Sequence, residues 1–270
     1  LGPGVTNPYE THPVKLAGQV ATLAEVSSGR GLFGIGAGDA STLSNLGVER
    51  DRPLRRVLET FRVARRLWAG ERVDHDGTFS ARGAGLNFEP AGEVPVYVGG
   101  QGPDMIRMAA KHADGVLVNG SHPRDLAWAS ERVQEGLEDR PDDRDTFRTI
   151  AYASVSVAED PEAARAAARR PVAFIAAGAP TPVLRRHDVD VERAEEVGAA
   201  VEAGEFGRAD DLVTGRMLEA FAAVGDTATV ADRLSALLDH ADGVVAAAPL
   251  GPDPERAIEL AGAALDRADR

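Results

Sequence analysis

The chain has 270 residues, 43% hydrophobic but only 5% aromatic, so it is long enough for one large domain or two small ones, with a core mostly of Ala, Val, Leu and Ile. It holds no cysteine, which excludes disulfides, thiolate metal sites and cysteine nucleophiles. A net charge of −13, from 43 acidic and 30 basic residues, argues against nucleic acid as a partner, and no apolar run is long enough to span a membrane.

No basic segment followed by an apolar one marks a signal peptide, so a cytoplasmic location is expected. Only Lys15 and Lys111 are lysines; the other 28 basic residues are arginines. Together with the acidity and abundant Ala and Asp, this fits a protein kept soluble in high salt, and a halophilic source is expected.

In chain order, Leu1–Val5 reads as a half-strand, followed by a helix from about Pro13 to Ser27. The run Leu32-Phe33-Gly34-Ile35-Gly36 reads as a strand. Pro53 opens a helix with a stripe at Leu54, Val57, Leu58, Phe61, Ala64 and Leu67, and Gly70 stops it. Strands are expected at Val94–Val98, Gly115–Asn119, Ile150–Val157 and Asp242–Ala248. Helices are expected at Pro103–His112, Pro123–Leu137, Asp160 to about Ala177, and Pro254–Ala268. Two segments interrupt the rhythm: residues 71–90, where Asp76-Gly77 signals a hairpin, and residues 179–223, a helical insertion.

Apolar strands alternating with amphipathic helices imply a parallel sheet covered by helices. Five complete units and one half-strand do not close an eight-stranded barrel. The expectation is therefore an α/β fold, a (β/α)₈ TIM barrel spanning 1–270 as a single domain, with insertions near 71–90 and 179–223. Because the chain starts at Leu1 rather than Met, two βα units are expected to be missing upstream.

Gly34-Ile35-Gly36-Ala37-Gly38-Asp39 is not a dinucleotide fingerprint, because Asp39 and Ser41 stand where the third glycine should be and Glu59 lies in mid-helix. Asp39 is either a site residue at a strand end or a helix cap. Val98-Gly99-Gly100-Gln101-Gly102-Pro103 is a glycine turn between strand and helix, able to bring backbone N–H groups to an anion or to serve as an ordinary tight turn. Gly2-Pro3-Gly4-Val5-Thr6-Asn7-Pro8 announces only a special backbone. The histidines His12, His75, His112, His122, His187 and His240 show no metal-ligand spacing; His12 lies near a strand end and the rest read as surface or packing residues. With no nucleophile elbow and no phosphate-loop lysine, an organic cofactor is expected to carry the chemistry.

These segments together resemble the 5,10-methylenetetrahydromethanopterin reductase family of the luciferase-like superfamily. The resemblance is carried by Gly2–Tyr9 with His12-Pro13, by Gly36–Asp39, and by Gly100–Pro103 with Ala113–Asn119. Val172–Ile175 with Arg186-His187, residues 217–225 and Gly251–Asp253 extend it. It implies an oxidoreductase that binds the deazaflavin coenzyme F420 and passes hydride to a methylene-tetrahydropterin, the methanopterin or the folate form. It also implies a non-prolyl cis peptide at Gly4–Val5 behind the ring, cofactor contacts from Gly4, Val5, Thr6, Asn7, Asp39, Gly99, Gly100, Gln101 and Asn119, no metal, and a homo-oligomer. The family's proton-transfer residue lies on its first two strands, so no catalytic acid is named. An FMN-dependent luciferase-like monooxygenase and a non-catalytic barrel fragment are the alternative readings.

Overall fold

The computed structural model of the chain describes residues 1–141 and 146–268. The chain divides into two compact units, one of Leu1–Leu117 with Glu131–Arg148, the other of Val118–Ser130 with Thr149–Arg270.

In the first unit, α1 (Pro13–Val26) precedes β1 (Phe33–Ile35), α2 (Ala40–Asn45) and α3 (Pro53–Trp68). Then come β2 (Val73–Asp76), β3 (Ser80–Ala84), β4 (Val96–Gly100) and α4 (Pro103–His112). β1 and β4 pair in parallel, Phe33 opposite Val96 and Ile35 opposite Val98. These four side chains are fully buried with Val57, Phe61 and Ile106, each contributing about 1.5–3 kcal/mol by leaving water. α1 packs on α3, and the Trp68 indole donates to the Ala17 carbonyl at 2.9 Å.

Two expectations shift here. Leu1–Val5 is not a strand: only Thr6 bridges to β1, through Thr6 N–H to Gly34 O at 3.0 Å and Gly36 N–H to Thr6 O at 2.8 Å. Pro3 has no N–H to offer a ladder, and the residues before Thr6 run too close to β1 to pleat beside it. The strand expected at Val94–Val98 lies at Val96–Gly100. Pro95 cannot donate, and its carbonyl accepts Phe33 N–H at 2.9 Å, so pairing starts after it.

β2 and β3 form the antiparallel hairpin signalled by Asp76-Gly77. Glu59 of α3 holds it. The Glu59 Oε2 oxygen accepts Thr78 N–H and Thr78 Oγ1–H, each at 2.7 Å, and the His75 ring at 3.2 Å, while Arg55 donates to Oε1 at 2.6 Å. Burial pushes the Glu59 carboxyl upward, but the Thr78, Arg55 and His75 hydrogen bonds outweigh it and bring the pKa to about 2.

β5 (Gly115–Asn119) and α5 (Pro123–Leu137) fall at the limits expected from sequence. In the second unit follow β6 (Arg148–Val157), α6 (Pro161–Gly178), and the insertion helices α7 (Thr181–Arg186), α8 (Val191–Glu202), α9 (Phe206–Leu212) and α10 (Gly215–Phe221). β7 (Ala223–Gly225), α11 (Thr227–Leu238), β8 (Gly243–Leu250) and α12 (Pro254–Ala268) complete it. β6 pairs in parallel with both β7 and β8. Val172, Leu184, Val197, Met217 and Phe221 knit α6 and the insertion helices into one buried cluster. β7 and α11 are absent from the sequence reading, and with Leu1–Val5 outside it the main sheet among the described residues has six strands, β1, β4, β5, β6, β7 and β8. Three residues following directly on a helix carry no strand periodicity.

Several arginines tie separate segments by forking onto two backbone carbonyls. Arg169 Nη1 donates to Asp210 O and Val213 O at 3.1 and 3.0 Å, and Arg233 Nη1 to Ser121 O and Glu219 O at 3.1 and 3.0 Å. Among the described residues no helix is long and apolar enough to cross a membrane.

Glu59 gains its stabilising hydrogen bonds only as the carboxylate. Because its folded pKa is depressed, that contribution is complete above the ordinary value of 4.5 and is lost as the pH falls toward about 2. Glu59→Gln is expected to cost about 1–3 kcal/mol at pH 7 and to flatten the acid limb of the stability curve. Urea melts at stepped pH measure both; an acid limb equal to that of the unsubstituted chain would refute the assignment.

Candidate functional site

In the first unit the expected site residues Gly4, Val5, Thr6 and Asn7 gather at the C-terminal ends of β1 and β4. Gly34 makes this possible: a Cβ there would stand 2.0 Å from the Pro3 carbonyl oxygen. Without a side chain at 34, the 1–7 segment lies directly on β1. The Gly4–Val5 peptide bond is cis, as the resemblance implies. Val5 is 44% exposed, and its methyls fit against two glycines. A Cβ on Gly36 would lie 3.0 Å from Val5 Cγ2, and one on Gly99 would lie 3.1 and 3.2 Å from the two Val5 methyls. Gly4 is exposed, with open space where a Cβ would project. The result is an exposed apolar surface of one isopropyl group set among bare backbone, a shape that fits one face of a flat ring.

The other expected residues take more specific places. Thr6 spends its backbone N–H and carbonyl on β1. The Asn7 side-chain oxygen Oδ1 accepts Tyr9 N–H at 3.0 Å and Glu10 N–H at 3.2 Å, and its Nδ2 donates to the Glu10 carboxylate, so its side chain shapes its own turn. Gly38, at φ 71°, passes the Asn7 side chain closely.

Asp39 is the N-cap of α2: its Oδ1 accepts Thr42 N–H at 2.8 Å, and that bond, above all, lowers its pKa. Gly100 is buried, and a Cβ there would meet Met105 and Ile106 at 3.3 and 3.5 Å, so its bareness serves the packing of α4 on β4. Gln101 and Gly102 are exposed and make the turn into α4.

In the second unit Asn119 ends β5 and is exposed. The turn after it carries a polar network that the sequence reading passed over as surface and packing histidines. His122 Nδ1 accepts Arg124 N–H at 3.1 Å, capping α5. This repeats in the first unit, where His12 Nδ1 accepts Val14 N–H at 3.2 Å to cap α1. A ring before Pro at the first helical position is the shared signal, present in the sequence as His12-Pro13 and His122-Pro123. Asp125 is buried and ties α5 to the insertion. His187 Nε2 lies 2.9 Å from both its oxygens, and Arg186 donates to Oδ1 at 2.7 Å while its guanidinium stacks 4.2 Å over Trp128. His187 meets the His122 ring edge-on with centroids 5.0 Å apart.

Burial, reinforced by the charge of Arg233 and by His187, pushes the His122 pKa down to about 4. Among the described residues no cluster of His, Asp or Glu could hold a metal ion.

His122 is a base whose folded pKa lies below its ordinary 6.5. Between those values the unfolded chain binds the extra proton, so the contribution is full above 6.5 and falls as the pH drops toward 4. His122→Asn keeps a cap acceptor and removes the titration. Its stability is expected to change less than that of the unsubstituted chain between pH 6.5 and 4. Parallel chemical melts would decide it, and identical pH dependence would count against the burial of this ring.

Residues 1–243 match the luciferase-like monooxygenase family. The chain is 42% identical to the 5,10-methylenetetrahydromethanopterin reductase of Archaeoglobus fulgidus over 97% of its own length and 80% of the relative's. It is 37% identical to the enzyme of the same name from Methanopyrus kandleri, with the same coverage. Its structure matches that of the coenzyme F420 dependent tetrahydromethanopterin reductase from Methanopyrus kandleri with a TM-score of 0.89, at 36% identity over 97% of this chain and 81% of that one. The luciferase-like (β/α)₈ class expected from sequence is therefore the fold class of this protein, and the chain belongs to the 5,10-methylenetetrahydromethanopterin reductase family.

Proposed function

We propose that the protein is an oxidoreductase that transfers hydride from reduced coenzyme F420 to a methylene-tetrahydropterin, leaving the methyl form. The exposed Val5 side chain between Gly36 and Gly99 is the observation that carries this reading on the structure, and 42% identity to a named reductase over nearly the whole chain supports it. When bound, the reduced deazaflavin supplies the hydride.

The chain's own part is to bind and orient. Val5 would back one ring face and exclude water from it, with Gly99 leaving room for the Val5 methyls and Gly4 leaving open space beside them. Thr6 and Asn7 fix the turn that carries Val5. Gln101 and Asn119 are the exposed polar side chains we assign to cofactor binding. Asp39 and Gly100 act through the α2 cap and the α4 packing. Holding two rings in reacting geometry is the main demand of a hydride transfer.

The substrate is a small-molecule pterin, and methylene-tetrahydromethanopterin is the form we assign on the names of the relatives. Loss of reduced-F420 absorbance should require a methylene-tetrahydropterin and should not be replaced by NADPH. With 43 carboxylates on the chain, activity is expected to rise with salt, which screens their mutual repulsion. Assays with the methanopterin and folate substrates across a salt series test this. Turnover with FMN and oxygen, and none with the deazaflavin, would instead indicate a monooxygenase.

Gly99→Ala would set a methyl group against Val5. We expect it to raise the Kd for F420 about tenfold, with partial recovery in the Val5→Ala/Gly99→Ala pair. Fluorescence titration measures both, and a Kd unmoved by Gly99→Ala would remove Val5 from the ring site.

A further inference from the structure

Val5 sits at the start of a turn with little backbone support. Between Thr6 and His12 the described residues make no backbone-to-backbone hydrogen bond to another segment. Three side chains hold the turn instead. Arg56 of α3 donates its Nε–H to Pro8 O at 3.0 Å, the Tyr9 hydroxyl donates to Asp51 O at 2.8 Å, and His12 Nε2 donates to Ser80 O at 3.1 Å.

The His12 role follows from its cap: Nδ1 accepts from Val14, so the ring proton resides on Nε2.

Arg56 is the centre of this arrangement. Its Nη1 donates to Thr78 O at 2.7 Å, and its guanidinium lies 4.7 Å from the Tyr9 ring centroid, a cation–π contact. Thr78 is buried and is itself fixed through its N–H and hydroxyl by the Glu59 carboxylate. A line of contacts therefore runs from Glu59 to Thr78, to Arg56, to Pro8, and through three peptide units past Thr6 to Val5. Lysine could not replace this fork, because a single ammonium cannot present parallel planar donors to two carbonyls while stacking on a ring.

Resting on the cofactor reading above, we infer that Arg56, oriented by Glu59 through Thr78, is a positioning residue that holds the Thr6–Pro8 turn, and with it Val5, behind the deazaflavin site. The β2–β3 hairpin thereby serves the site without touching the cofactor. Hairpin and α3 form a brace, and the turn is the part braced.

The test uses the full chain with Arg56→Met, Arg56→Lys, Tyr9→Phe and, as a control on the same helix, Arg62→Met. Arg56→Met is expected to raise both the Kd and the KM for F420 about tenfold. The KM for the pterin should stay within about twofold, since the two ligands do not share this support. Arg56→Lys should recover part of the loss, and Arg62→Met should leave cofactor affinity unchanged. Tyr9→Phe removes one milder tie and should weaken F420 binding by about two- to threefold; it keeps the inference testable where Arg56→Met folds poorly.

Hydrogen exchange in the cofactor-free protein separates this inference from the functional reading. Amide exchange across Val5–Glu10 should accelerate at least tenfold in Arg56→Met while α1 and β4 keep their protection. Unchanged exchange there, or F420 and pterin affinities that weaken together in step with a lowered Tm, would overturn the inference. Failure of the unsubstituted chain to bind F420 at all would overturn the functional reading, and with it the cofactor-positioning role, whatever the exchange shows of the brace.

Discussion

The site in the first unit depends on how closely two stretches of backbone approach each other. The Pro3 carbonyl stands where the side chain of residue 34 would otherwise project. Any Cβ at 34 would lift the 1–7 segment off β1, and the single Thr6 bridge would be lost with it. From that contact the rest follows in order: Val5 emerges beside the strand ends, Gly36 and Gly99 leave room for its methyls, and the chain then turns through Asn7 into the His12 cap of α1. The core beneath, with Phe33, Ile35, Val96 and Val98, serves mainly to keep β1 and β4 in register.

Much of this was legible in the sequence, and the reasons for the exceptions are physical. Helices α4, α5 and α12 begin at proline and were placed at their observed limits, because proline at the first helical position is a strong local signal. β5 was equally clear from a short apolar run between punctuating residues. β4 was displaced by two residues, since its limits are set by which carbonyl of the partner strand is available, and hydrophobicity does not report that. β7 was missed because three residues carry no period.

At the candidate site, motif resemblance named segments of the first unit that the structure brings together at the ends of β1 and β4, but it did not distinguish the roles within them. Asp39 and Asn7 were grouped with Val5, yet one caps a helix and the other closes a turn. The difference lies in where each side-chain oxygen finds a backbone N–H. The braces were missed altogether: Arg56 and Glu59 share α3, but the turn they hold at Pro8 lies 48 residues from Arg56 and Thr78 lies 22 beyond it, and none of the three belongs to a motif. In the polar network around Asp125, Arg186-His187 was quoted as a matching pair, but its partner was not legible, because Arg186 and His187 reach Asp125 across 61 and 62 residues of chain.

The two-carbonyl forks of Arg56, Arg169 and Arg233 give the skewed basic composition a chemical meaning. Cross-links between segments are written in guanidinium groups, and side-chain amines are left at only two positions, Lys15 and Lys111. Lys15 is exposed on α1, and Lys111 makes one surface pair with Asp139 at 3.1 Å. Neither takes part in holding the turn that carries Val5. Modification of side-chain amines can thus touch the molecule at only two defined points, neither of them on that turn. Dicarbonyl reagents that consume arginine would act on the ties themselves.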